Sequence, residues 1–270
     1  MTGVHQAITS AANRGPATLY SVIQSLGLTA NLNFVLDVGD SNSTNGTSQT
    51  WTDVSGNGNS FFRGTSSSVT ATDPTFNGSA GSLSSSTYWS FDGGDYFTES
   101  AAHTFPNNWH KDNGAFTLVF LIYFGNITSD QCLFNTFDST NGDGVFLFVD
   151  NATGEFALGH SLTNTSNETV GMGINATAGA WGFVGISFNE AGPTCNFRYN
   201  SSTATPTVLG STNTTDPSTL ISLMCADGGT SILSSGSRLI GVAGWSSALG
   251  ASGLASLYTA LKARRLPDIP

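Results

Sequence analysis

Paired carboxylates can carry general acid–base and covalent chemistry on glycans, so the acidic residues are tested first. The chain has four glutamates, Glu99, Glu155, Glu168 and Glu190, and none has a second carboxylate within two or three residues. A serine nucleophile needs a base and an exposed elbow. No Gly-x-Ser-x-Gly stretch lies near a histidine, and His5, His103, His110 and His160 are scattered. His103, His110 and Asp112 flank Trp109 and are chemically able to hold a metal, but a polar loop has the same composition. The cysteines, Cys132, Cys195 and Cys225, are odd in number and form no CxxC pair, which argues against a zinc site or a redox dithiol. Cys195 alternates with Phe197 and Tyr199, so all three share one face of a strand and the thiol reads as buried. A Cys132–Cys195 bridge is the alternative that spacing leaves open.

Composition narrows the partners. The 270 residues carry 8 Lys and Arg against 18 Asp and Glu, a net charge of −10. Eight scattered cations cannot build the basic face that nucleic acid or an anionic membrane surface requires. Ser and Thr fill roughly a quarter of the chain, far above ordinary usage. Disorder is excluded too, because 39% hydrophobic residues with 18 Phe can bury a real core. Met1–Gly15 holds no apolar stretch of the kind that directs export, so the chain is expected either to stay where it is made or to leave by assembly or lysis.

The elements that must position any site fall into two regimes. Pro16–Leu26 reads as a short helix, with Leu19, Val22, Ile23 and Leu26 on one stripe and Gly27 at its end. So short a helix needs its own domain or a neighbouring subunit to pack on, and residues 1–30 are taken as an assembly segment ahead of a domain at 31–270. From Leu32, strand-like runs alternate with Gly, Ser, Asn and Asp clusters, the pattern of an all-β sandwich. Expected strands are Leu32–Val38, Ser48–Val54, Tyr88–Asp92, Tyr96–Ser100, Ala115–Phe124, Gln131–Asp138, Val145–Asp150, Glu155–His160, Trp181–Asn189, Cys195–Tyr199 and Leu239–Ser246. Ala115–Phe124 is apolar at both parities and should be a central strand buried on both faces. Residues 63–86 and 201–216 read as long loops. Leu254, Leu257, Tyr258 and Leu261 mark a closing helix over Ala251–Arg264, with cations at its C-terminal end and Pro267 beyond it. Trp51, Trp89 and Trp181 read as core anchors. In Trp51–Asn59 the turn Ser55-Gly56-Asn57-Gly58-Asn59 tolerates positive φ, and Asp53 can accept its amides. Asp92-Gly93-Gly94-Asp95 reads as a hairpin loop.

Four stretches in order resemble the laminin-G-like domains of the concanavalin A-like lectin/glucanase superfamily, of the type found in phage structural proteins. They are Asn33–Asp40 running into Trp51–Asn59, Trp89–Phe97, the pair Phe116–Phe120 and Trp181–Phe188, and Ile240–Leu249 running into Leu254–Arg265. Together they span about residues 30–265. The resemblance implies an all-β concanavalin A-like jelly-roll sandwich of two antiparallel sheets, with a short N-terminal helix and a C-terminal helix. Hydrolases of the superfamily carry a Glu-x-Asp-x-(x)-Glu strand, which this chain lacks, so the expectation is a protein that is not an enzyme. Lectins of the superfamily often hold Ca²⁺, for which Asp138, Asn141 and Asp143 are candidates beside Asp92 and Asp95; turn formation accounts for the same residues. No other cofactor is expected. The leading reading is a virion structural protein, a capsid decoration or tail/fibre component assembled in the host cytoplasm. Its partners would be itself, as a homo-oligomer, or other virion proteins through Leu19, Val22, Ile23 and Leu26. Cell-surface polysaccharide could bind Trp109 or Trp245 by stacking. A lectin module without a structural role is the alternative, and a degenerate glycan hydrolase the least favoured.

Overall fold

Phe116, Leu118, Phe120 and Ile122 point to one side of a nine-residue strand and Thr117, Val119 and Leu121 to the other, and both sets are buried. This strand, β7 (Ala115–Tyr123), pairs with β12 (Trp181–Asn189) on one edge and β16 (Arg238–Trp245) on the other, as its apolar character on both faces predicts. The computed structural model describes residues 17–137, 142–217, 220–226 and 229–265. In the first sheet, β14 (Ser202–Ala204) and β13 (Thr194–Tyr199) continue outward from β12. Beyond β16 come β5 (Tyr88–Ser90) and β4 (Thr75–Asn77). One edge of β16 serves two strands: Arg238 and Leu239 face β5, while Gly241–Trp245 face β1 (Leu32–Asp37).

The second sheet runs in the order β11 (Ser166–Asn175), β10 (Glu155–Thr163), β9 (Val145–Val149), β8 (Gln131–Asn135), β15 (Ser222–Leu223), β6 (Phe97–Glu99), β3 (Phe61–Arg63) and β2 (Thr50–Trp51). All named strand pairs in both sheets are antiparallel. Between the sheets lies an aromatic core. Trp51 meets Trp89 at 6.0 Å and Phe97 at 4.9 Å between ring centroids, and Phe116 meets Phe188 at 5.4 Å. Trp51 and Trp89 are core anchors as expected.

Two helices cover the outer face of the first sheet. α2 (Gly250–Arg264) sets Leu254 against Gly185 and Tyr258 against Phe183 on β12. α1 (Leu19–Ser25) is capped by Thr18, whose Oγ1 accepts the Ser21 amide at 3.2 Å. Its stripe does not serve another subunit: Leu19, Val22 and Ile23 are fully buried in the domain's own core, and Leu26 packs against it. The boundary at residue 30 therefore moves, because the helix belongs to the sandwich. Residues 1–16 lie outside the described residues. Among the described residues no helix is long and apolar enough to cross a membrane.

Two further corrections concern connections. The Asp92–Asp95 loop is not a hairpin, because β5 lies in one sheet and β6 in the other; it crosses the edge of the sandwich. Its compact form comes from side chains, since Asp95 Oδ2 accepts the Asp92 amide and Asp92 Oδ1 accepts that of Gly94, both at 2.8 Å. All three cysteines are buried, and Cys132 and Cys195 form no bridge. Burial pushes the Cys195 thiol up to about 12. By contrast the Trp51–Asn59 turn behaves as its sequence predicts. Asp53 Oδ1 accepts the amides of Val35 at 2.9 Å and Ser55 at 2.8 Å, and Oδ2 accepts that of Asn59 at 3.1 Å. Gly56 and Gly58 sit at φ 92° and 80°.

Candidate functional site

On the first sheet, period-two alternation sends Trp89 into the core and therefore Tyr88 and Ser90 outward. The same alternation turns Tyr123, Trp181 and Arg238 out. Strand register then aligns Trp181, Tyr123, Arg238 and Ser90 in one row across β12, β7, β16 and β5. The Arg238 guanidinium carbon lies 4.8 Å from the Tyr88 ring centroid and 4.7 Å from that of Tyr123. Trp181 meets both tyrosines edge-on, at 6.2 Å and 5.7 Å. Tyr88, Tyr123 and Arg238 are half-buried, and Trp181 is 8% exposed. At the rim, Asn77 Nδ2 donates to Ser90 Oγ at 2.9 Å.

Such a cluster combines flat apolar faces with hydrogen-bond donors held in place. Cation–π contact fixes the guanidinium plane, and the rings lose little entropy when they engage a ligand. It suits a ligand that has an apolar face and a polar rim, as a sugar does. Sequence reasoning missed Tyr88, Tyr123 and Arg238; Trp181, expected as a core anchor, is buried as expected and backs the cluster. Two signals were available: Tyr88 has the opposite parity to a core Trp, and Arg238 is the one cation between Arg198 and Lys262.

The residues singled out from sequence lie elsewhere. Trp109 is 1% exposed, stacked on Phe116 at 5.0 Å and Phe134 at 5.3 Å, and its indole N–H donates to Ser246 Oγ. Trp245 is fully buried and donates to the Leu28 carbonyl at 2.7 Å. Neither presents a face to a glycan, because each ring fills the core instead. Asp138 and Asn141 lie outside the described residues. Asp143 is buried and its Oδ1 accepts Asn213 Nδ2 at 2.6 Å. Among the described residues no three His, Cys, Asp or Glu side chains are grouped to hold a metal ion. His103 and His110 do not converge: His103 Nε2 lies 3.4 Å from the Ser60 carbonyl, and His110 Nε2 lies 3.0 Å from that of Thr215.

The four glutamates act as clamps on the backbone. Glu99 accepts the His103 amide, Glu155 that of Gly173, Glu168 that of Leu209, and Glu190 those of Asn113 and Ser211. Asp95 is a different case. It is 4% exposed, and burial raises its carboxyl to about 6, against the lowering effect of the Asp92 amide. The folded state thus holds a proton that the unfolded chain has lost between pH near 4 and pH near 6. On this group's account stability rises as pH falls through about 6. Asp95→Asn keeps an acceptor for Asp92 and removes the charge. It should raise the urea midpoint clearly more at pH 7.5 than at pH 5. An equal difference at both values would disprove the assignment.

No family model matches the chain. No curated protein matches it either. Solved structures do. The chain is similar to the binding domain of paraclostridial mosquitocidal protein 1, with TM-score 0.59 and 14% identity over 85% of this chain and 52% of that one. It is similar to a botulinum neurotoxin type C structure, from a toxin whose cell entry depends on two ganglioside molecules, with TM-score 0.55 and 9% identity over 88% and 53%. It is also similar to Trypanosoma rangeli sialidase in complex with the inhibitor DANA, with TM-score 0.56 and 14% identity over 92% and 36%. At these identities the likeness shows the fold alone, a β-sandwich. The chain spans about half the length of the two toxin chains.

Proposed function

We propose that the protein is a non-catalytic glycan-binding module. The observation that carries this reading is the outward cluster of Tyr88, Tyr123, Trp181 and Arg238 on the first sheet. The toxin binding domains among its structural neighbours support it, since one of those toxins engages gangliosides. The commitment of all four glutamates to backbone amides supports the absence of catalysis. A glycan array tests it. Wild-type protein should bind a restricted set of glycans, and Tyr88→Ala should weaken that binding by about tenfold or more, the usual cost of truncating an anchoring aromatic. No binding to any glycan, with or without Ca²⁺, ends the reading.

The proposal extends to where the module works: on a virus particle, as a capsid decoration or tail/fibre component beside copies of itself or other virion proteins. The support is the laminin-G-like resemblance together with a chain of only 10% charged residues. The protein should copurify with intact particles at fixed stoichiometry. Absence from purified particles removes this part and leaves glycan binding standing.

A further inference from the structure

We propose that the glycan held at this cluster carries a carboxylate, as sialic and uronic acids do, and that Arg238 binds it through the edge of its guanidinium. This inference rests on the glycan-binding reading and sharpens it. The evidence is how differently the described cations are used; Lys262, for instance, donates to the Tyr258 hydroxyl at 3.4 Å. Arg265 is paired with Asp37 and Lys111 with Asp216. Arg63 donates through Nε to the Pro74 carbonyl, and Arg198 through Nη1 to that of Asn200. Arg238 makes no hydrogen bond or ion pair through its side chain with any described residue, and none of its nitrogens is buried without a partner. With 18 acidic residues in the chain against 8 basic ones, a counter-ion would have been easy to supply.

The surroundings of Arg238 also restrict what can reach it. Tyr88 and Tyr123 contact the guanidinium through their rings and orient its plane, and Trp181 backs both rings. The N–H edge stays available to solvent. A carboxylate is planar and pairs with that edge through two parallel hydrogen bonds in the guanidinium plane. A tetrahedral sulfate can also offer two oxygens to the fork and is separated by titration, whereas a neutral hydroxyl accepts from the guanidinium without bringing an opposite charge. The sugar ring bearing the acid would lie along the tyrosines, with Ser90 and Asn77 beside it. The net charge of −10 repels long polyanions, which favours a short acidic oligosaccharide or a terminal acidic sugar.

The test is calorimetric titration of the full chain with 3′-sialyllactose and digalacturonate, each beside its methyl ester, with 3′-sulfolactose and with lactose. At least one acid should bind about tenfold or more tightly than its ester, the order expected for a charge-assisted bidentate pair. Arg238→Gln should abolish that difference, and Arg238→Lys should restore little of it because the fork is lost. The comparison of acid with ester on wild-type protein does not depend on how either variant folds. Equal affinity for acid and ester overturns the proposal, as does a preference that survives Arg238→Gln or binding confined to sulfated sugars. Binding of neutral sugars alone sinks the carboxylate and spares the glycan reading. No binding of any sugar sinks both.

Discussion

Asp37→Ala should destabilise the protein by about 3–5 kcal/mol, the range for removing one partner of a buried ion pair. Asp37 and the Arg265 side chain are both fully buried, and Asp37 Oδ1 accepts Arg265 Nη2 at 2.9 Å. The same carboxylate accepts the Gly39 amide at 2.8 Å and the Leu19 amide at 2.7 Å. One side chain therefore joins the start of α1, the end of β1 and the C-terminal cap of α2. Its loss strands a guanidinium whose Nε and Nη1 already lack partners, and leaves two backbone donors unpaired. Urea denaturation at neutral pH reads the effect. Combining Asp37→Ala with Arg265→Met should recover part of the loss, because the stranded charge is gone. A single-variant cost below about 1 kcal/mol, the ordinary value of an exposed pair, would disprove the account.

Asp53→Ala should cost about 3 kcal/mol or more, because three backbone amides from two separate segments lose their acceptor in a buried setting. Val35 belongs to β1, whereas Ser55 and Asn59 belong to the turn, so Asp53 fastens the turn to the strand. Two asparagines assist from the turn: Asn57 Nδ2 donates to the Leu32 carbonyl at 2.7 Å and Asn59 Nδ2 to that of Asn33 at 2.8 Å. Asp53→Asn should be milder, since one acceptor oxygen remains. Amide hydrogen exchange at Val35, Ser55 and Asn59 should accelerate in Asp53→Ala well before global unfolding. Unchanged protection at these amides would show that the turn holds itself. Neither aspartate contacts the Tyr88–Arg238 cluster, so the folded fraction of either variant should bind glycan with wild-type affinity.

Strand positions were legible wherever apolar alternation was clean. β7, β12 and β13 fall close to their expected spans, and α2 differs by one residue at its start. β11 was not foreseen. Its inward residues Val170, Met172 and Ile174 are separated by Gly171 and Gly173, and glycine argues locally for a loop. Tertiary contact overrides that: Glu155 lies against Gly171, where an added Cβ would collide with its carboxylate. β3, β4, β14 and β15 are two or three residues long and are held by pairing rather than by propensity.

The sequence by itself determined what short-range physics controls. Period-two alternation set two sheets, the apolar stripes set two helices, and the Asp53 turn followed from residues within a few positions of one another. The scarcity of glutamate argued against a catalytic pair without any coordinates. Alternation also says that Tyr88 faces away from the core Trp89, but not which residues it meets there. That depends on which sheet a strand joins and what lies across from it. Tertiary structure therefore decided that Trp109 and Trp245 are buried. It alone gathered Tyr88, Tyr123, Trp181 and Arg238 from four strands spread from residue 88 to residue 238 into one outward cluster. Long-range register carries no signature in any single segment, so the site became visible only once the strands were paired.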